Sequence, residues 1–135
     1  MSCVFCAIVA GDIPSRQVYA DDYAIAFLDV APWHPGHTLV VPRRHVDDLL
    51  AEPEALSEIA PAISATSRLL VERLGADGLN LVSSTGAAAG QEVFHLHVHL
   101  VPRFAKVAGL GELFEREPGI DLDHVHRQLT GETQP

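Results

Sequence analysis

The chain is poor in cysteine, with two, and poor in cations: its 135 residues hold 9 Lys+Arg against 18 Asp+Glu, a formal net charge of −9 with histidine neutral. That balance excludes a general nucleic-acid binder, whose basic face must displace counterions from phosphates. No apolar run reaches the roughly 18–20 residues of a membrane span. The N-terminus, Met1-Ser2-Cys3-Val4-Phe5-Cys6, lacks the basic region and long apolar stretch of a secretory leader. A cytoplasmic protein of one domain's length is the expectation. No internal repeat or low-complexity segment occurs. Hydrophobic content is 47%, enough for a real core, and the conspicuous excess is histidine: eight residues, three of them packed into five positions.

Two cysteines in such a chain seldom form a structural disulfide. Cys3-Val4-Phe5-Cys6 has the spacing of a metal knuckle or a redox pair. A redox pair needs a preceding strand and a helix N-terminus to lower the thiol pKa. Only two residues precede Cys3, which leaves no room for that strand. Metal ligation is favoured, with inert thiols as the alternative.

Along the chain, a short helical turn is expected at 3–10, ended by Gly11 and Pro14. Residues 17–20 and 24–28 read as short strands about a turn at Asp21-Asp22. The segment 31–36 is a loop by its proline and glycine density, and 37–41 is a β-branched strand closed by Pro42. The main helix is expected over 54–74, with Leu56, Ile59, Ile63, Leu70 and Leu74 near one face and Gly75 as a left-handed stop. Pro61 conflicts with an unbroken helix, so either the helix kinks there or a new helix starts at Pro61. Residues 79–83 form a strand, 85–90 a loop, and 93–101 the longest strand, stopped by Pro102. Helical turns are expected at 110–114 and 121–129. Strands interrupted by one helix point to α+β with an antiparallel sheet.

The run His95-Leu96-His97-Val98-His99-Leu100-Val101 carries the chemistry. Side chains alternate along a strand, so His95, His97 and His99 share one side while Leu96, Val98 and Leu100 face the core. Three imidazoles on one face are poor core filling, because each ring nitrogen needs a partner when buried. A solvated polar face is the bland alternative, but such faces usually mix residue types. Two functional readings remain: a metal site, or nucleophilic catalysis by an imidazole that is neutral near pH 7. The preceding small residues Gly86-Ala87-Ala88-Ala89-Gly90 would let backbone N–H groups close on a phosphate.

The run Gly90-Gln91-Glu92-Val93-Phe94-His95-Leu96-His97-Val98-His99-Leu100-Val101-Pro102-Arg103 resembles the signature of the histidine triad (HIT) family of nucleotide hydrolases and transferases. Three further blocks resemble it in order: Cys3 to Pro14, Tyr19 to Asp29, and Pro35 to His45. The resemblance covers roughly residues 3–103. It implies a histidine triad domain over 1–108 with 109–135 as its C-terminal extension. The implied fold is α+β, an antiparallel sheet of about five strands with one main helix and a short N-terminal helix, dimerising into one continuous sheet. The implied partners are a purine nucleotide and a second copy of the chain, with neither nucleic acid nor membrane.

Residue by residue, the resemblance makes His97 the nucleophile. It attacks the α-phosphorus of an adenine (purine) nucleotide ester, anhydride or phosphoramidate, forms a nucleotidyl-histidine, and is released by water. A backbone carbonyl would hold its other ring nitrogen. His99 would assist at the phosphate, and His37 would close the site from the neighbouring strand. Gln91, with the backbone at Glu92 and Val93, would hold phosphate oxygens, and Ser84 falls at a further phosphate or base contact. Asp29 would accept the ribose hydroxyls, while Val4, Phe5, Ile8, Ile13, Phe27 and Val30 form the purine slot. Cys3, Cys6, His45 and His95 match the zinc-bearing branch as a closed structural Zn²⁺ shell, with no catalytic metal required. Glu92 stands where the amine-hydrolysing branch has a serine that helps protonate nitrogen, and Ser84 where that branch has asparagine. The only tryptophan is Trp33, in the loop before His37. No role falls to His124 or His126. The competing readings are a zinc-dependent hydrolase using His95, His97 and His99 as ligands, and a nucleotide-binding regulatory module with weak or no catalysis.

Overall fold

The computed structural model describes residues 2–107, 109–110 and 114–131. Its elements are α1 (Val4–Ala10), β1 (Gln17–Ala20), β2 (Ala24–Leu28), β3 (Thr38–Pro42), α2 (Pro53–Leu74), β4 (Gly78–Val82), β5 (Val98–Arg103) and α3 (Leu122–Thr130). The five strands form one antiparallel sheet in the order β1-β2-β3-β5-β4. The expected α+β class and strand number therefore hold. No helix among the described residues is long and apolar enough to cross a membrane.

The sheet is covered on both faces, which is why β2 and β3 are buried almost end to end. On one face, Ala24, Ala26, Val40, Val98 and Leu100 pack against Ala55, Ile59, Ala62 and Leu70 of α2. Fully burying a side chain such as Ile59 contributes about 1.5–3 kcal/mol. On the other face, Ile25, Phe27, Leu39 and Val41 pack against Phe5, Ile8 and Val9 of α1. That second layer is thin, and the site opens beside it.

The long helix starts at Pro53, where a missing N–H is harmless, and ends at Gly75 with φ +65°. It runs through Pro61, so no second helix starts there. Pro61 and Ser57, whose carbonyl loses its partner, both lie on the exposed side, where water can replace the bond.

The strand expected at 93–101 is shorter at its start and longer at its end, running Val98–Arg103. His95 and His97 precede it: Leu96 N–H donates to Val46 O at 2.6 Å, so this segment is held by the loop after β3 rather than by a ladder. The alternation survives without the ladder, since Leu96 is in the α2-facing core and Phe5 touches both His95 and His97. Pro102 does not stop β5, because pairing with β3 ends at Thr38–Leu100 and only β4 flanks the proline.

Beyond β5, Arg103 donates to Asn80 and to Val107 O, and Ala105 N–H donates to Asp77, which fastens the start of the extension. The turn expected at 121–129 is α3, capped by the Asp121 carboxylate. Of the turn expected at 110–114, residues 111–113 lie outside the described residues.

Candidate active site and metal centre

Two clusters of side chains meet at the segment before β5. The first joins Cys3, Cys6, His45 and His95, whose ligand atoms all lie within 4.8 Å of one another. Cys3 is the N-cap of α1, its sulfur accepting from Cys6 N–H, so the first turn of the helix brings both sulfurs to one point. His95 Nδ1 lies 3.5 Å from each sulfur, and His45 Nδ1 lies 3.3 Å from Cys6 Sγ. Both imidazoles are held from behind: His95 Nε2 donates to Pro42 O at 2.9 Å, and His45 Nε2 meets Asp47 at 2.7 Å. Such partners leave each Nδ1 with its lone pair turned toward the thiols, as a metal requires. Arg44 ties the loop bearing His45 to Glu52 and Glu58.

The thiols are split. Burial pushes Cys3 up, but hydrogen bonds led by the Cys6 N–H outweigh it and hold Cys3 below its ordinary value. Burial and the adjacent Cys3 push Cys6 up. Burial lowers His95, while the Asp47 carboxylate raises His45. Two thiolates and two neutral imidazoles match a four-coordinate zinc shell with no open position, so the residues present fit a structural zinc.

The second cluster joins His37, His97 and His99. His97 Nδ1 donates to the His95 carbonyl at 2.8 Å, which leaves Nε2 as a bare lone pair. Ser83 holds the His97 backbone by donating to its carbonyl at 2.9 Å. A directional chain fixes the other two rings. Trp33 N–H donates to His37 Nδ1 at 3.0 Å, so His37 carries its proton on Nε2. That proton faces His99 Nδ1 at 2.9 Å, so His99 carries its own on Nε2. Burial lowers His37 against the pull of Asp29, whose Oδ2 is 3.5 Å away. Burial, with His97 and His37 adding to it, pushes His99 down to about 4. Both rings are therefore neutral near pH 7, as the chain requires. His37, His99 and Asp29 also cluster as three residues able to offer ligand atoms. A metal there would need the His37 Nε2 lone pair, which the N–H of Trp33 on the opposite nitrogen denies it.

A cavity of about 1090 Å³ opens on His97 and His99. Val4, Phe5, Ile8, Ile13, Phe27, Asp29, Val30, Ser84, Glu92 and Val93 all line it. Gln91 does not: it is buried, accepts from Gly86 N–H, and donates to Asp47 O and Val93 O. Its amide braces the 86–93 loop against the loop that carries His45. The N–H groups of Ala89, Gly90 and Gln91 bond within that loop. Those of Glu92 and Val93 donate to nothing among the described residues, which leaves two backbone donors at the cavity wall. The sequence did not single out Ser83, Phe114 or Trp33. A lone tryptophan between prolines, four residues before His37, was the one available signal.

Residues 10–106 match the family described as HIT domain. An uncharacterized HIT-like protein of Methanocaldococcus jannaschii is 40% identical over 132 residues, covering 96% of this chain and 99% of that protein. An adenylylsulfatase of Arabidopsis thaliana is 37% identical, covering 94% of this chain and 65% of its own length. A zinc-bound histidine triad family protein from Mycobacterium smegmatis superposes with a TM-score of 0.74 at 43% identity, over 88% of this chain and 85% of that one.

Proposed function

The chain belongs to the HIT domain family, and on that premise we propose that it cleaves adenine nucleotide conjugates at the α-phosphorus through a covalent nucleotidyl-His97. The observation that carries this reading is the pinned tautomer of His97, with Nδ1–H on the His95 carbonyl and Nε2 bare at the cavity.

In the first step Nε2 bonds to the α-phosphorus and the bond to the departing atom breaks, that atom keeping the electron pair. In the second step a water oxygen bonds to phosphorus, the P–N electrons return to Nε2, and the water proton passes to solvent. The His95 carbonyl faces the imidazolium that exists between the two steps. Two displacements at one imidazole require no catalytic metal. The free N–H groups of Glu92 and Val93, with Ser84, hold phosphate oxygens. Asp29 takes the ribose hydroxyls, and the apolar lining from α1 and Phe27 takes the base. Cys3, Cys6, His45 and His95 hold a structural zinc, a role supported by the zinc-bound relative.

His99 sharpens the leaving group. At neutral pH it is an uncharged donor through Nε2–H, and surrendering that proton would leave an imidazolate. It can hydrogen-bond to a departing anion but is a poor acid for an amine. Anhydrides, whose phosphate or sulfate half departs as a stable anion, are therefore favoured over amides. The adenylylsulfatase relative supports the same choice. The reading includes a homodimer formed along the free edge of β4, where Leu81 is exposed. It also treats 109–135 as an extension of the domain, since Phe114 lines the cavity.

The test is to trap the intermediate. Protein turning over an adenylyl anhydride labelled at the α-phosphorus is quenched in alkali, where the P–N bond survives, and then digested. The label is expected on His97. Label on another residue, or none during sustained turnover, overturns the reading. Binding with no turnover of anhydride, ester or amide supports the regulatory module instead.

A further inference from the structure

Four rings run in a row along the cavity: Phe5, His97, His99 and Trp33, with successive centroid spacings of 5.1, 5.0 and 4.9 Å. Phe5 stands at the apolar end that belongs to α1, and Trp33 stands at the other. The indole lies 4.6 Å from His37 and 4.9 Å from His99, nearly parallel to both at 27° and 21°. The two imidazoles are only 5.1 Å apart. Rings stacked on opposite faces of the indole would be separated by about 7 Å, twice a carbon contact distance. Both imidazoles therefore cover the same face.

The other face of Trp33 pairs with no ring among the described residues, and the residue is 50% exposed at the cavity wall. Its loop is stiffened by Pro32 and Pro35, and its N–H is fixed on His37. The cavity, at about 1090 Å³, lies just above the ~300–1,000 Å³ usual for small-molecule sites, so there is room beyond one nucleotide.

We propose that the free face of Trp33 is the subsite for the departing half of the substrate, and that it selects leaving groups bearing a flat aromatic or heteroaromatic ring, a second nucleobase among them. The proposal rests on the reading of His97 as the attacking group: with the base at the Phe5 end, the departing half extends past His99 and around the edge of the indole to its uncovered face. A bare phosphate or sulfate would leave that surface unused.

The chain's only tryptophan is Trp33, so its fluorescence reports on the subsite alone. The probes are two uncleavable adenosine methylenebisphosphonate esters, one phenylethyl and one cyclohexylethyl, similar in size but different in flatness, with adenosine monophosphate as reference. The phenylethyl ester is expected to bind about 3- to 10-fold more tightly, the scale of one aromatic contact, and to change Trp33 emission. Trp33→Leu should bring the ratio to about one, and Trp33→Phe should keep part of it. Equal affinities in the wild-type protein, with adenosine monophosphate still bound, overturn the subsite and leave the His97 reading standing. A ratio unchanged in Trp33→Leu overturns it as well. Failure of adenosine monophosphate to bind removes both.

Discussion

His95 and His97 are two residues apart, on one side of the same segment, and the fold uses them in opposite senses. His95 is pinned through Nε2 and turns Nδ1 toward two sulfurs; His97 is pinned through Nδ1 and turns Nε2 toward a cavity. The two pins are both backbone carbonyls, and the second is the carbonyl of His95 itself. On the proposed reading, which nitrogen is free, not which residue type is present, divides ligand from nucleophile. The cluster of Cys3, Cys6, His45 and His95 and the cluster of His37, His97 and His99 are thus coupled through one peptide unit, and Gln91 couples them again by bracing the 86–93 loop against Asp47.

The comparison breaks most sharply at His97. His97→Ala should reduce turnover by about 10⁴-fold or more while nucleotide affinity stays within a few-fold, because it removes the bond-forming atom and little of the cavity. Steady-state kinetics beside a binding titration checks this, and a rate near wild type removes His97 from the chemistry. Cys3→Ser is the matching experiment on the other cluster. Serine is as good an N-cap as a thiol, so α1 keeps its first turn and the zinc ligand alone is lost. Bound zinc and thermal stability should both fall, the latter by several kcal/mol, with turnover per folded molecule falling by less than about tenfold. If a chelator instead abolishes turnover while the fold persists, the metal is catalytic and His97 is a ligand.

The strands were legible because composition and period agree there: the Ala24–Leu28 and Thr38–Pro42 segments are short, apolar and bounded by turn residues. The alternation of His95, Leu96, His97 and Val98 was legible for the same reason. What the sequence could not show is which backbone holds a segment, so His95 and His97 read as strand although Leu96 between them is held by Val46 O in the loop after β3. Gln91 read as a phosphate ligand because it sits in the same motif as Glu92 and Val93; its amide instead faces backbone that only the fold brings near. Trp33 stood out in the sequence only by its rarity, because its stacking on His37 and His99 joins positions 33 and 99, which no local pattern links.

Acid should separate the clusters further. His99 titrates at about 4 in the fold and near 6.5 when unfolded, so the unfolded chain takes up the proton first. Stability contributed by its neutral form is complete above about pH 6.5, declines as pH falls toward 4, and is gone below that, a loss of at most about 3 kcal/mol for a partly buried ring. Denaturation midpoints across that window should slope less in His99→Gln than in wild type. Equal slopes would mean that His99 is not held neutral, and the donor chain from Trp33 would fall with it.

The smallest expected effect is at Asp47. Asp47→Asn keeps an acceptor for His45 Nε2 but removes its charge, and it leaves the backbone carbonyl that receives Gln91 untouched. Zinc affinity, measured by competition with a chelator, should weaken by about tenfold, while turnover at saturating zinc stays within twofold. The carboxylate hydrogen-bonds the His45 ring and its charge also reaches His95. An unchanged affinity would mean that this charge does not support the zinc shell, and the role given to the exposed loop in holding the metal would fall. One conservative substitution on an exposed loop thus tests whether the two clusters have separate tasks.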